Sequence, residues 1–135
     1  KNKNRISRML YEDLSKYFRR KNEINNGICC SRNPLIAPGI IFHHKNVIIT
    51  SKAIVEEGVH FYGNVTLGIR NGGSPVIKRN VKIAGNAMVL GAVVIGEGAI
   101  IAPGAIVFND VPSGKIAGGI PAKIIGTVNK DNYDF

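Results

Sequence analysis

The sequence lacks tryptophan, and its 135 residues include only two cysteines and three histidines. Cys29 and Cys30 are adjacent, and adjacent cysteines form a strained disulfide rather than a disulfide framework. We therefore interpret them as reduced thiols in a cytoplasmic protein. The sequence also lacks an apolar run of the roughly 18 residues that a membrane-spanning helix needs, and no secretory signal is visible.

Acidic residues are scarce as well, since 9 Asp and Glu stand against 18 Lys and Arg and leave a formal net charge of +9. A basic surface suits nucleic acid, phosphorylated cofactors or anionic glycans. We disfavour nucleic acid as a partner because there is no arginine-rich helix to enter a groove and no aromatic platform for bases. A solvated basic face is the alternative interpretation.

Glycine, in contrast, is abundant at 16 residues, and a six-residue period accounts for it. From Ile77 to Val107 every sixth residue is aliphatic, and the same spacing covers Ile49 to Leu67. This period is neither helical nor a simple strand alternation, and it is typical of a parallel β-helix whose short strands stack coil upon coil. The sequence predicts an all-β fold, a β-helix of hexapeptide repeats with about four coils.

The repeat is interrupted twice. The step from Phe42 to Ile49 is seven residues, so the register slips by one at the sequence His43-His44-Lys45-Asn46. The step from Leu67 to Ile77 is ten residues, so residues of the segment Gly68–Pro75 form an extruded loop. Insertions in repeat folds mark loops and often the working face.

The ends of the chain lie outside the repeat. Arg5–Arg20 has apolar residues at three- and four-residue spacing, which predicts a short amphipathic helix. We favour packing of this helix on the β-helix over contact with a membrane surface, which a basic amphipathic helix also permits. The predicted organisation is an N-terminal helix and lead-in over residues 1–30, a repeat domain over 31–126 and a tail over 127–135.

The hexapeptide run, the segments HHKNVIIT and NVTLG, and the closing AGGIPAKIIG resemble the left-handed β-helix acyltransferases. Within these, the chain is similar to the serine O-acetyltransferase-like branch, which includes glycan O-acetyltransferases of the colanic acid type. The resemblance covers about residues 34 to 126. It implies left-handed coils, a homotrimer with active sites between neighbouring prisms, acetyl-CoA as the acyl donor and no metal.

The resemblance also implies a histidine that takes a proton from the acceptor hydroxyl, a role that suits the near-neutral pKa of imidazole. Counting forward from Ile36 assigns this base to His44, whereas counting back from Leu67 puts His43 at the inward position. Periodicity leaves both open. Similarity of the segment IIFHH to a double-histidine form in the glycan branch favours His44. Surface histidines on an irregular rung are the alternative.

For coenzyme A, the resemblance points to backbone at small residues, where the pantetheine arm can approach, and to the closing segment near the nucleotide end. These candidate residues are Ala84, Gly85, Ala102, Gly104, Ala122 and Lys123. Corner geometry is an alternative explanation for the glycines, as is a solvated charge for Lys123.

The acceptor is the point at which the chain departs from serine acetyltransferases. Those enzymes carry a histidine just before the proline that closes the loop, whereas Ser74 precedes Pro75 here. An acidic residue beside the base is replaced by His43, and the aspartate expected near the first rung has no clear equivalent in Ser31–Pro34. We therefore predict a hydroxyl of an anionic surface glycan or its precursor as the acceptor, with serine as the alternative. The candidate acceptor-side residues are Arg70, Ser74 and His60.

Two further functions use the same fold. A γ-carbonic-anhydrase-like metal site would need three histidine ligands across subunits, and only His43, His44 and His60 exist. The other is a solenoid that binds without catalysis, for which neither His43 nor His44 would matter.

Overall fold

The computed structural model describes residues 27–31 and 34–129, together with Tyr17, Arg20, Lys21 and Asn25. These four separate residues are helical, and Tyr17 and Arg20 fall within the predicted helix Arg5–Arg20. The rest of that helix lies outside the described residues, as does the tail beyond Asn129. In the part of the chain that is described, no helix is long and apolar enough to cross a membrane.

The described chain from Ile28 to Thr127 forms 15 short strands. Their bounds are β1 Ile28–Cys30, β2 Leu35–Ile36, β3 Ile41–Phe42, β4 Val47–Ile49, β5 Ile54–Val55, β6 His60–Phe61, β7 Val65–Gly68, β8 Val76–Ile77, β9 Lys82–Ile83, β10 Met88–Leu90, β11 Val94–Ile95, β12 Ile100–Ile101, β13 Ile106–Val107, β14 Lys115–Gly118 and β15 Lys123–Thr127. Such short strands follow from the hexapeptide repeat, because each repeat holds one strand and one corner.

Every third strand joins the same parallel sheet, so the chain winds around three faces. Face A has the order β1-β4-β7-β10-β13, face B has β11-β8-β5-β2, and face C has β15-β14-β12-β9-β6-β3. Only β15 is antiparallel to its neighbour, β14. The corner at which the chain leaves face C for face A is called the CA edge below, and the corner from face A to face B is called the AB edge.

The β-helix of stacked coils is confirmed, and it has five coils, one more than the about four predicted. The first coil begins at β1, where Cys30 pairs with Ile49, and the last coil ends at β14, where Ala117 pairs with Ile101. Cysteine and alanine occupy these inward positions, so a count of large aliphatic residues at six-residue spacing missed the two ends. In the last coil an isolated bridge from Ile95 to Val111 replaces the face B strand.

The stacked aliphatic residues form the core, as the period predicts. All ten positions of the repeat from Ile49 to Val107 are at most 2% exposed. They are Ile49, Val55, Phe61, Leu67, Ile77, Ile83, Val89, Ile95, Ile101 and Val107. Within the described residues, the first coil stacks on a coil at one side only, and Ile36 is 38% exposed. The fully buried part of the core therefore begins in the second coil, next to the histidine segment.

An asparagine ladder holds the CA edge. Asn46, Asn64 and Asn86 occupy equivalent corners and have positive φ angles of 66°, 59° and 61°. Asparagine tolerates this left-handed conformation better than most residues with a Cβ. The Asn46 side-chain amide donates to Asn64 Oδ1 and that of Asn64 donates to Asn86 Oδ1, each at 3.1 Å. Successive corners are thereby locked in line along this edge.

Candidate active site

The extra residue of the first CA corner can be identified from the backbone hydrogen bonds on its two sides. On the upstream side, the His43 N–H donates to the Phe61 carbonyl at 2.9 Å. One coil later, the Tyr62 N–H donates to the Ile83 carbonyl at 3.0 Å. His43 and Tyr62 therefore occupy the same position of the corner.

On the downstream side, the Lys45 carbonyl accepts a hydrogen bond from the Asn64 N–H at 3.2 Å. The Gly63 carbonyl accepts the equivalent bond from the Asn86 N–H at 2.9 Å. Lys45 and Gly63 are thus equivalent as well. His44 is the residue left over, with no counterpart in the corners at residues 62–64, 84–86 and 102–104.

His44 is exposed and lies over the glycine of the next corner. A Cβ atom on Gly63 would be 3.1 Å from the His44 Cβ, which is tighter than almost all real contacts. The imidazole lines an open groove of about 570 Å³ that continues along the CA edge past Gly63 and Gly85 to Pro103. Lys45, Tyr62 and asparagines of the ladder also line this groove, and glycine at two successive corners lets a ligand approach the backbone there.

His43 is engaged outside this groove. Its Nε2 lies 3.0 Å from His60 Nδ1, a distance at which one imidazole N–H donates to the unprotonated nitrogen of the other. Its ring stacks on Tyr62 with centroids 4.3 Å apart and planes inclined by 6°. The pKa of His60 lies below the ordinary value of 6.5, mainly because of burial and secondarily because of the charges of His43 and Lys82.

The candidate coenzyme A residues lie along the same edge. Ala84 and Gly85 form its third corner, and the Gly104 N–H of the fourth corner donates to the Gly85 carbonyl at 3.0 Å. Ala102 belongs to that fourth corner, and at the fifth the Ala122 N–H donates to the Ile106 carbonyl at 2.9 Å. Lys123 is exposed and pairs with Gly118 at the end of β14. All six candidate residues and His44 therefore share one edge of the prism.

The extruded loop occupies the AB edge and folds onto its own prism. Arg70 and Gly73 exchange backbone hydrogen bonds of 3.1 and 3.0 Å across a tight turn. The Ser74 hydroxyl donates to the Ser51 carbonyl at 2.7 Å. The Arg70 guanidinium lies 4.8 Å from the centroid of the Phe108 ring. The loop is thus fixed at its base by Ser74 and along its side by Arg70.

The candidate acceptor-side residues are consequently divided between two edges. His60 lies beside His43, whereas Arg70 and Ser74 lie at the far side of face A from His44. The four residues of β7 separate the two edges by roughly 13 Å, at about 3.3 Å per residue. A single chain does not bring Arg70 or Ser74 to His44.

Sequence reasoning missed Tyr62 as a partner of His43. The available signal was its place one residue after the stacked Phe61, which matches the place of His43 after Phe42. Across residues 27–31 and 34–129, the structure has no group of three or more His, Cys, Asp or Glu side chains that could hold a metal ion.

The comparisons with known proteins agree on one group of enzymes. Residues 74–109 match the bacterial transferase hexapeptide (six repeats). A putative serine acetyltransferase of Schizosaccharomyces pombe is 41% identical over 98 residues, which are 69% of this chain and 36% of that protein. The crystal structure of serine acetyltransferase from Vibrio cholerae matches with a TM-score of 0.81 and 30% identity over 93% of this chain and 51% of that one.

A serine acetyltransferase solved in complex with CoA matches with a TM-score of 0.78 and 26% identity, over 89% of this chain and 51% of that chain. This chain spans about a third to a half of the length of the relatives it matches.

These relatives overturn the prediction of a glycan acceptor and of a role in polysaccharide modification, because they are serine acetyltransferases. The prediction gave much weight to Ser74, which stands where those enzymes have a histidine. In the structure the Ser74 hydroxyl donates to the Ser51 carbonyl and fixes the loop. The serine at this position is therefore explained by loop structure and does not indicate a sugar acceptor.

The matched repeat, the five stacked coils and the solved relatives together establish the fold as the left-handed β-helix of hexapeptide-repeat transferases. They support the acyltransferase family for this chain, with serine acetyltransferases as its relatives.

Proposed function

We propose that this chain transfers the acetyl group of acetyl-CoA to the hydroxyl of serine, with His44 as the general base. The observation that carries the proposal is the position of His44. His44 is the residue inserted at the CA edge, and it lines the groove that also contains Gly63 and Gly85. The chain that holds it is similar to serine acetyltransferases.

An alcohol is a weak nucleophile at neutral pH, so its proton must leave as it attacks the thioester carbonyl carbon. The His44 imidazole takes that proton while the new C–O bond forms. The tetrahedral intermediate then collapses, the C–S bond breaks, and the proton on His44 passes to the departing thiolate to give free CoA and O-acetylserine. No covalent enzyme intermediate is needed.

The tetrahedral intermediate carries a negative oxygen, which requires hydrogen-bond donors fixed in advance. The backbone of Gly63 and Gly85 lines the groove beside His44. We assign this role to an N–H of that backbone, because no side chain intervenes there and the asparagine ladder on either side holds the corners rigid.

Acetyl-CoA lies along the CA edge in this proposal. The pantetheine arm runs past Gly85 and the fourth corner at Ala102 and Gly104, where side chains are small. The nucleotide end reaches Ala122 and Lys123, and the exposed Lys123 ammonium supplies a positive charge for phosphate. Support comes from the similarity to a serine acetyltransferase solved in complex with CoA.

A trimer would complete the site. Face B has exposed aliphatic residues on its outer side, with Leu35, Ile54 and Val94 at 67%, 36% and 37% exposure. Such a patch favours association between copies of the chain. We propose a homotrimer in which the AB edge of one subunit faces the CA edge of the next, so that Arg70 reaches the acceptor from a neighbour. We also propose a cytoplasmic location, because Cys29 and Cys30 are not joined in a disulfide.

The test is a direct assay of purified protein with acetyl-CoA and free serine, following CoA thiol release and O-acetylserine by mass spectrometry. The proposal expects both products in equal amounts, with loss of both in His44→Ala and retained binding of CoA. Thiol release that does not depend on serine would contradict serine as the acceptor. Full activity in His44→Ala would contradict the assigned base.

A further inference from the structure

We infer that His43, His60 and Tyr62 form a clamp that positions His44, so that His43 is a positioning residue and not a second base. The inference rests on the proposed function, because it assigns a role to the residues around the proposed base. Three side chains on two adjacent coils make up the clamp, and none of them is the inserted residue itself.

An inserted residue needs fixed neighbours, because the ladder of backbone hydrogen bonds does not hold it. On its downstream side, the Asn46 side chain is fixed by the hydrogen bond to Asn64 Oδ1 at 3.1 Å. On its upstream side, only His43 lies between His44 and Phe42, the half-buried end of β3. The conformation of His44 therefore depends directly on what holds His43.

His43 is held in two directions. The nearly parallel Tyr62 ring, 4.3 Å away between centroids, fixes the plane of the imidazole. The hydrogen bond between its Nε2 and His60 Nδ1 fixes its rotation within that plane. His60 projects from the rigid strand β6, whose next residue, Phe61, is fully buried. The clamp thus connects the corner that contains the inserted residue to the core of the second coil.

The same contacts argue against His43 as the base. Its Nε2 is 3.0 Å from another imidazole and one face of its ring is covered by Tyr62. His43 does not line the groove that His44, Gly63 and Gly85 share. The clamp borders that groove only through Tyr62, so an acceptor in the groove reaches His44 without passing through His43 or His60.

The test uses substitutions at His60, which touches neither the groove nor the inserted residue. The contacting atom is Nδ1, and the side chain of asparagine places a polar atom at nearly that position, whereas alanine places none. We expect His60→Ala to lower kcat by about tenfold to 100-fold, as small misplacements of catalytic groups do. We expect KM for acetyl-CoA to change by less than about twofold and His60→Asn to recover most of kcat.

The matched pair at Tyr62 separates the stack from the phenol hydroxyl. Tyr62→Phe keeps the stacked ring and should retain more of kcat than Tyr62→Ala, which should lose about as much as His60→Ala. Thermal melting curves check that all three proteins are folded. Equal kcat in wild type, His60→Ala and Tyr62→Ala would then overturn the clamp and leave the proposed function standing.

An NMR measurement tests the clamp even if serine proves not to be the acceptor. Imidazole resonances of His44 in selectively labelled protein should shift or broaden in His60→Ala and return to their wild-type positions in His60→Asn. Unchanged His44 resonances in His60→Ala would overturn the clamp. Absence of serine acetylation by the wild type would instead overturn the proposed function, so the two failures are distinguishable.

Discussion

The first CA corner and the AB loop both depart from the six-residue repeat, and they use their added residues in different ways. The first CA corner adds one residue, His44, and leaves its side chain exposed over a groove. The loop Gly68–Pro75 adds four residues, and its side chains return to the prism through the Ser74–Ser51 hydrogen bond and the Arg70–Phe108 contact.

The difference shows that the length of an insertion does not decide its chemical use. What matters is whether the neighbouring coils offer groups that the inserted residues can contact. Beneath His44 the next two corners present Gly63 and Gly85, so the imidazole has open space. The loop contacts the Ser51 carbonyl of the preceding coil and the Phe108 ring of a later coil, and it packs against both.

The largest expected effect is on the rate of His44→Ala. Loss of the proposed general base should lower kcat for serine acetylation by about 10²- to 10⁴-fold, with CoA binding retained. Steady-state kinetics and calorimetric titration of CoA measure the two quantities. The comparison variant is Arg70→Ala, where no proton transfer is lost; a fall in kcat as large as that of His44→Ala would contradict the contrast between the two insertions.

A smaller effect on the rate is expected from Gly63→Ala. The new Cβ would lie 3.1 Å from the His44 Cβ, so the imidazole must move by a few tenths of an ångström. We expect kcat to fall by about tenfold through this misplacement. Gly72→Ala, in the loop, meets open space and should leave kcat unchanged, although its positive φ of 75° lowers stability slightly. Equal kcat values for the two variants would argue against a strict position for His44.

Ser74→Ala should affect stability more than catalysis. It removes a partly buried hydrogen bond of 2.7 Å and leaves the Ser51 carbonyl without this donor, at a cost of about 1 kcal/mol in the free energy of unfolding. Denaturant unfolding measures the change, and the exposed Ser113→Ala is the control, with an expected change within about 0.5 kcal/mol. A large loss of kcat in Ser74→Ala would mean that its hydroxyl takes part in acceptor binding after all.

The smallest expected effect is a pH dependence of stability through His60. Because its pKa in the folded protein lies below 6.5, chiefly through burial, the unfolded chain binds more protons in the interval between the two values. Stability is therefore fully present above about pH 6.5 and declines as pH falls through the lowered pKa. Melting temperatures between about pH 7 and pH 5 should fall less in His60→Asn than in the wild type. Identical slopes would contradict this role of His60.

The positions of the repeats could be predicted from the sequence, because stacked coils require one apolar side chain at every sixth position. All ten such positions from Ile49 to Val107 are buried as expected. The two end coils escaped prediction because Cys30 and Ala117 face inward there. An inward position must be buried, and at the ends of the stack a small residue meets this requirement as well as a large aliphatic one.

The candidate site was predicted less completely, for a geometric reason. Periodicity located the slip at residues 43–46 and left His43 and His44 as alternatives, since a count cannot say which residue of a lengthened corner is the added one. Hydrogen bonds on either side identify the inserted residue as His44, because His43 aligns with Tyr62 and Lys45 with Gly63. Contacts between coils, such as those of His43 with His60, depend on side-chain direction, which the period does not encode.

The most direct test of the central claim is deletion of His44, measured as melting temperature and as serine acetylation rate in the same preparation. Deletion restores the six-residue spacing between Phe42 and the next stacked position, so the melting temperature should match or exceed that of the wild type. The rate should fall at least as far as in His44→Ala, even though His43 remains. A deletion variant that still acetylates serine at the wild-type rate would contradict the claim that the inserted residue carries the chemistry.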